Sequence, residues 1–529
     1  METNSKSGKL KKGVFFSAAG CLTLGIILIG IFPDQAYEVL TGLLYAWGKS
    51  TGWLIELLIF VVFVGGLVLA ATKYGNIRIG GKYAKPDYSM FSWITMSICG
   101  AIGTGIIFWA LGEPIYHYMC PPSVAGVEGG SVEAAYWAVS QTMFHWSFEQ
   151  FAFYSVPAVV IGLIIFTFKE KVSYDPVANL AVGRECPWLG NLFHFMIVFG
   201  MCAGVACSMG VGIMQIGAGI ENVAGIGQSK FVWFIIAAVV TFIFVFSAVA
   251  GIEKGVKRMS AFTSYAFIFL LLAILVLGPT VFILNNTFEN LGIMLTHIPE
   301  RTFIMNSMYP DDTWSMDWWL QYVGSFVVYG PIIGVFLARI AKGRTIREFI
   351  LVNTAVSGGF CALWCGIFGS MAIYLQSTGQ FDVWKAVQED GMQSTVYQLL
   401  GSLPCGKILI VIFIITVCTS FCTIADPAAS ALANVTVHDS SIENDPPKKI
   451  KMLYGIFMGC LAYVLIASGG QNAVKTVWII AGVPMMIIIF ALIISTLRTV
   501  RYVKAKEDAG DEDYKLSDLL QGYRRKKVS

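Results

Sequence analysis

Two aromatic stripes and a run of glycines are the residues of this chain whose types and spacing could do chemistry. Trp146, Phe151 and Tyr154 recur at steps of five and three, and Tyr322, Phe326 and Tyr329 at steps of four and three, so each set crowds one side of a helix. Taken singly, such stripes act as packing or as anchors at a membrane interface. A third segment, Gly100-Ala101-Ile102-Gly103-Thr104-Gly105, carries glycines that weaken a helix. Unwound backbone at membrane depth survives only where it lines a cavity, although small residues also serve close helix packing. Two stripes beside an opened backbone suggest an aromatic box, which holds a quaternary ammonium by cation–π attraction worth about 2 kcal/mol or more when desolvated. Glu56, Glu149 and Asp426 add carboxyl groups in or near apolar runs, where an ionisable side chain needs a partner or a purpose. Glu149, set among aromatics, is either a neutral or paired carboxyl of the bundle or a proton carrier.

The elements that must position these residues follow from composition. Of 529 residues, 56% are hydrophobic and 13% charged, against about 25% charged in ordinary soluble domains. Mean hydropathy is +0.69. A chain this long and apolar cannot hide its surface in one aqueous core. It is a polytopic membrane protein. A spanning helix needs roughly 20 apolar residues. On that measure the runs fall near 14–32, 52–72, 89–112, 134–167, 189–222, 231–250, 262–284, 318–341, 349–375, 406–435, 452–468 and 474–497, which makes twelve. The stretch 288–298 is short and mixed, and predicts an amphipathic helix lying at the interface.

Lys and Arg collect in cytoplasmic loops. With the N-terminus inside, only Lys49, Lys230, Arg301, Lys385, Lys407 and Lys475 of the 36 basic residues fall outside. The expected organisation is a cytoplasmic segment 1–12, a twelve-span membrane domain 13–500 and a charged cytoplasmic tail 501–529, in a plasma (inner) membrane protein with both termini inside. The four N-terminal lysines precede an apolar run with no A-x-A cleavage site, so that run is the first span.

Several classes drop out. The net charge of +3 with no basic stripe gives no reason to expect nucleic acid. Most of the 12 cysteines lie in apolar runs and behave as small hydrophobes. The five histidines are scattered and no Cys/His pattern has zinc spacing, so neither a metal nor another cofactor is expected. The spans hold no HExxH and no nucleophile–histidine pair, which argues against an enzyme.

The run Phe336-Leu-Ala-Arg339-Ile-Ala-Lys342-Gly343-Arg344-Thr345-Ile-Arg347-Glu348-Phe349 closely resembles the signature loop of the betaine/choline/carnitine transporter family. Thr142–Trp146, Ala206–Gly212 with Gln215–Gly219, and Gly251–Lys257 resemble other family segments in order and spacing, over residues 14–500. The resemblance implies an all-α membrane fold of two inverted five-helix repeats, spans 3–7 and 8–12, preceded by two extra helices and commonly assembled as a homotrimer. It implies secondary transport of a small zwitterionic or cationic methylammonium substrate by alternating access. It places the substrate at Trp146, Phe151 and Tyr154, at the eighth-span positions Tyr322, Ser325, Phe326 and Tyr329, and at Ala101, Gly103 and Gly105.

Departures from the family pattern bear on mechanism. Its tryptophan-rich eighth-span box aligns here with Val323, Gly324, Ser325, Phe326 and Tyr329, so indoles are lost on that side. Its tenth-span T-S-x-D-S aligns with Thr423-Ile424-Ala425-Asp426-Pro427, keeping Thr423 and Asp426 but no serine, and its fifth-span hydroxyl positions align with Met201 and Val205. A hard cation wants oxygen ligands. The expectation is transport without sodium, with exchange of substrate against a related product. Glu149 is the reserve proton carrier, and the competing reading is a sodium- or proton-coupled osmolyte symporter with relocated ion ligands.

Overall fold

The computed structural model describes residues 10–101, 104–171, 173–250, 253–437 and 447–526; within these, the side chains at 99, 101, 104, 107, 247–250, 253–260, 332, 422–427, 479, 483 and 522–526 lie outside the description. The described residues form helices, with two isolated bridges, Leu10 to Val437 and Arg78 to Thr345, in place of any sheet. Apolar length dictates this, because inside lipid every backbone N–H and C=O must be satisfied within its own segment.

Helices α1 (Lys12–Ile31) and α2 (Pro33–Ala71) meet at Pro33, whose missing N–H is no loss at a helix start. The spacing predicts a second span over 52–72, whereas α2 is one 39-residue helix that begins a further five turns back. In the glycine run, Gly100 belongs to α3 (Met90–Ala101) and Gly105 to α4 (Thr104–Met119), while residues 102–103 lie outside the described residues. Helices α5 (Val132–His145) and α6 (Phe148–Gly162) are separated at Trp146 and Ser147, and α6 runs into a π turn over 163–167. Next come α7 (Asp175–Val182), α8 (Pro187–Ala224), α9 (Lys230–Ala250) and α10 (Glu253–Leu277). α11 (Thr280–Thr296) turns 118° away from α10.

That turn corrects two boundaries. The seventh run ends at Leu277 rather than 284, and the crossing helix occupies 280–296 rather than 288–298. Gly278-Pro279 stops α10, since proline cannot donate to a continuing helix. The buried face of α11 is Ile283, Asn286, Thr287, Asn290 and Met294, one helical stripe.

A short α12 (Ile298–Thr302) and a π turn over 315–319 lead to α13 (Leu320–Arg339). Helices α14 (Ile346–Leu351) and α15 (Ser357–Thr378) flank another π turn, and α16 (Val383–Asp390) and α17 (Met392–Ser402) precede α18 (Gly406–Val435). α19 (Lys448–Asp508) is broken at Gly470 (φ 56°, ψ −136°) and continues past residue 500, where the sequence predicts the tail; α20 (Leu516–Lys526) follows. By length and composition, the described residues hold seven helices able to cross a membrane, or up to nine if each bent pair is one span.

The surface is inverted relative to a water-soluble protein. Phe231 and Phe242 are 70% exposed while Glu113, His117 and His145 are fully buried, the distribution a lipid surroundings selects.

One end of the bundle gathers the basic loops. Lys11 N–H donates to Thr436 O, Lys11 pairs with Asp175 at 3.6 Å, and Arg498 donates to Leu180 O. The signature loop locks the same end. Gly343 takes φ 75° and donates to Ile79 O, Arg78 donates back to Gly343 O, and Arg344 donates to Tyr88 O at 2.7 Å while lying over the Trp93 ring. Thr345 and Glu348 form a reciprocal capping box that starts α14.

Candidate functional site

A small cavity lies where α4, the α5–α6 break and the middle of α13 converge. It is lined by Gly105 and Trp109 of α4, Trp146, Gln150 and Tyr154 around the α5–α6 break, Tyr322, Ser325 and Tyr329 of α13, Ser208 of α8 and Trp478 of α19. Its water-accessible volume is about 40 Å³, and a water needs at least ~10–15 Å³. The cavity thus has room for a few waters.

Several of these rings are held by polar bonds that the sequence does not announce. Tyr322 O–H donates to Glu113 Oε2 at 2.6 Å and Trp146 Nε1–H donates to the same oxygen at 2.9 Å. On the other oxygen, His145 Nδ1 lies 2.6 Å from Glu113 Oε1. The proton on that contact can be placed from its neighbours. Arg301 donates to Gln141 Oε1 at 2.6 Å, so the other end of the amide is the donor, and it stands 3.0 Å from His145 Nε2. With Nε2 accepting, Nδ1 carries the hydrogen and donates to Glu113. A carboxylate with three donors therefore sits behind the box. Tyr329 O–H donates to Gly204 O and shares a short contact with Ser208 Oγ, while Trp478 Nε1–H donates to Gly204 O at 3.3 Å.

Two polar atoms of cavity-lining residues are buried without a hydrogen-bond partner, Trp109 Nε1 and Gln150 Oε1. An orphan donor and an orphan acceptor in a dry site are costly unless a ligand meets them. Gly105 of α4 borders the cavity. Gly105 is also needed for space: a Cβ there would stand 2.7 Å from Trp146 Cη2. The site offers aromatic faces for a cation and, at Trp109 Nε1, an unpartnered donor for an anion.

The structure gathers most of the sequence-predicted site residues. Trp146, Tyr154, Tyr322, Ser325, Tyr329 and Gly105 line the cavity. Phe326 stands one layer behind, 6.2 Å from Tyr322 and 6.3 Å from Trp146 between ring centres. Phe151 is buried against Tyr154 at 6.0 Å and does not reach the cavity. Glu149 points elsewhere, accepting Thr302 Oγ1–H at 2.7 Å, with its second oxygen unpartnered. Gly103 and the side chains of Ala101, Thr423 and Asp426 lie outside the described residues. Residue spacing misses Glu113, His145, Gln150, Trp109 and Trp478, because these meet across four helices. His117 and His145, distant in sequence, stand with Glu113 so that one ligand-type atom from each lies within 4.8 Å of the others. Hydrogen bonds already occupy Glu113 and His145, which fits a proton-sharing cluster better than an open ligand set.

A larger vestibule of about 710 Å³ lies beside this cavity, lined by Tyr45, Asp317, Trp318, Trp384, Asn472 and Lys475 among others. Asp317 is held there by Tyr45 O–H at 2.7 Å and Thr313 Oγ1–H at 2.6 Å.

Residues 13–505 match the description of the betaine/carnitine/choline family of transporters. An ectoine/hydroxyectoine transporter of Virgibacillus pantothenticus is 28% identical over 503 residues, 95% of this chain and 99% of that protein. A glycine betaine transporter of Bacillus subtilis is 30% identical over 483 residues, 90% of this chain and 91% of its own length. An osmo-dependent choline transporter of Acinetobacter baylyi is 28% identical over 507 residues, 94% of this chain and 72% of that protein.

Proposed function

Since the chain belongs to the betaine/carnitine/choline transporter family, we propose that it is a secondary active transporter of a small methylated ammonium compound, betaine-, carnitine- or choline-like, working by alternating access. The observation that carries this reading is the cavity with Trp146, Tyr154, Tyr322 and Tyr329 on its wall. Aromatic faces suit a methylated ammonium, which offers no N–H to bond. The orphan Trp109 Nε1–H suits a carboxylate.

We read twelve spans: α1, α2, α3–α4, α5–α6, α8, α9, α10, α13, α14–α15, α18 and the two parts of α19 divided at Gly470. Spans 3–7 and 8–12 are then two five-helix repeats. The clustering of the basic loops supports cytoplasmic termini in a plasma membrane protein, and the apolar surface of α9 leaves area for a homotrimer contact.

Coupling is proposed to need no sodium, with exchange of substrate against a related product. Met201 and Val205 are buried in α8 and offer no side-chain oxygen to a hard cation. Ala101 and Gly103 remain proposed substrate contacts, and Thr423 and Asp426 proposed coupling groups. The second reading, a proton-coupled osmolyte symporter, draws on the unpartnered buried oxygen of Glu149.

Thermal stability of the detergent-purified protein, in sodium-free buffer, with betaines, choline, carnitine and trimethylamine relatives tests the reading. A ligand at about 100-fold its dissociation constant should stabilise by roughly 2.7 kcal/mol. A shift with one methylated ammonium compound supports the substrate class and sodium-free binding. No shift across the panel, with or without sodium, overturns the substrate class.

A further inference from the structure

Lys475 stands at the partition between vestibule and cavity. Its Nζ lies 4.7 Å from the centre of the Trp318 ring, which lines the vestibule, and 4.9 Å from that of Trp109, which lines the cavity. The two indoles meet edge to face at 5.7 Å, and Trp109 continues to Tyr322 at 5.9 Å, so the ammonium rests on the outer end of one aromatic wall. The residue itself lines the vestibule and is half-buried, five residues beyond the break at Gly470.

Among the described residues this ammonium makes no ion pair or hydrogen bond. Its contacts are the two ring faces, and the carboxylates that act on it from a distance are Asp317 and Glu113. Both are already taken, Asp317 by Tyr45 and Thr313, Glu113 by Tyr322, Trp146 and His145. An ammonium has three N–H donors and no acceptor. Partly desolvated and without an oxygen to bind, it is poised for an anionic group arriving through the vestibule, where a charge-assisted bond is about twice as strong as a neutral one.

The same charge works against a cation. The faces of Trp109 and Trp318 are the outermost places where a quaternary ammonium would rest, and a positive charge already covers both. A simple cation meets like charge there, whereas a zwitterion can turn its carboxylate to Lys475 and its ammonium inward.

We propose that Lys475 is a specificity residue at the mouth of the site: it receives the carboxylate of a zwitterionic substrate and repels a simple quaternary cation. The proposal rests on the transporter reading above and adds the class of substrate within it.

The test is binding and uptake of radiolabelled glycine betaine and choline by the full chain in lipid vesicles, for wild type, Lys475→Gln, Lys475→Met and Lys475→Arg. Wild type should prefer betaine. Both uncharged variants should lose betaine affinity and retain or gain choline affinity, narrowing the ratio about ten- to hundredfold, while Lys475→Arg stays near wild type. A preference for choline in wild type, or an unchanged ratio in both uncharged variants, overturns the role of Lys475 and leaves the transporter reading standing. Wild-type vesicles that bind and carry neither compound overturn the preference assigned to Lys475, and the substrate reading falls with it when the wider panel above gives no shift either.

Discussion

Tyr322 donates its hydroxyl to Glu113 Oε2 at 2.6 Å, tying an aromatic wall of the cavity to a fully buried carboxylate on another helix. Trp146 bonds the same oxygen from a third direction. The orientation of two box rings is therefore set by one charge behind them, in a low-dielectric interior where such bonds are strong and their loss is costly.

Glu113→Gln should expose that dependence. The amide keeps the shape but turns an N–H₂ toward at least one of three donors, leaving buried groups unpaired. The expected loss is about 2–3 kcal/mol of stability, read as a lower melting temperature in detergent, together with weaker ligand binding. A variant with unchanged melting and unchanged binding would remove Glu113 from the account of the box.

Gly105→Ala should weaken ligand binding roughly tenfold or more while the bundle stays folded. The new methyl stands 2.7 Å from the Trp146 ring edge, and that ring, pinned at its nitrogen by Glu113, cannot swing freely. A distance error of this size at a binding wall is costly in overpacked sites, about 1–3 kcal/mol. Isothermal titration of the purified variant decides it, with wild-type affinity as the contrary result.

Tyr329 separates ring from hydroxyl. Tyr329→Phe keeps the π face and should bind ligand within about threefold of wild type, whereas Tyr329→Leu should lose about tenfold, the size of one cation–π contact. Phe151 is the contrast, buried against Tyr154 but off the cavity. Phe151→Leu should cost about 1 kcal/mol of stability and leave the order of ligand preference alone. Equal losses in both Tyr329 variants would mean that the hydroxyl network, not the ring, holds substrate.

Gly343→Ala should be among the most damaging single-methyl additions outside the cavity. Gly343 has φ 75°, and a Cβ there would lie 2.3 Å from the backbone of Lys85 and Pro86. The expected loss exceeds about 2 kcal/mol, from left-handed strain together with a backbone clash. Thr345→Ala, which removes only the cap of α14, should cost about 1 kcal/mol. Melting curves of the two variants should fall in that order.

Glu149→Gln tests the proton-coupled alternative. If Glu149 carries the proton, the variant should lose the pH dependence of uptake in vesicles; a pH profile that matches wild type removes it from coupling.

Much of this protein was legible in its residues. Apolar run length and the placement of Lys and Arg determine a multi-helix membrane protein, because hydrocarbon admits only segments that satisfy their own backbone. Helical spacing also placed Tyr154, Tyr322 and Tyr329 on inward faces, since a period of 3.6 is a local property of the chain, whereas Trp146 reaches the cavity from the α5–α6 break rather than from the helix face that carries Tyr154. What spacing leaves open is how far a side chain reaches: Phe151 belongs to the same stripe as Trp146 yet packs behind the wall. Glu113, His145, Gln141 and Arg301 come from three separate elements, and only packing brings them into one hydrogen-bonded chain. Lys475 looks in sequence like one more basic residue on the outer side. Its place over Trp109 and Trp318 is a matter of three helices meeting, because a pairwise contact between remote segments leaves no periodic trace in any one of them.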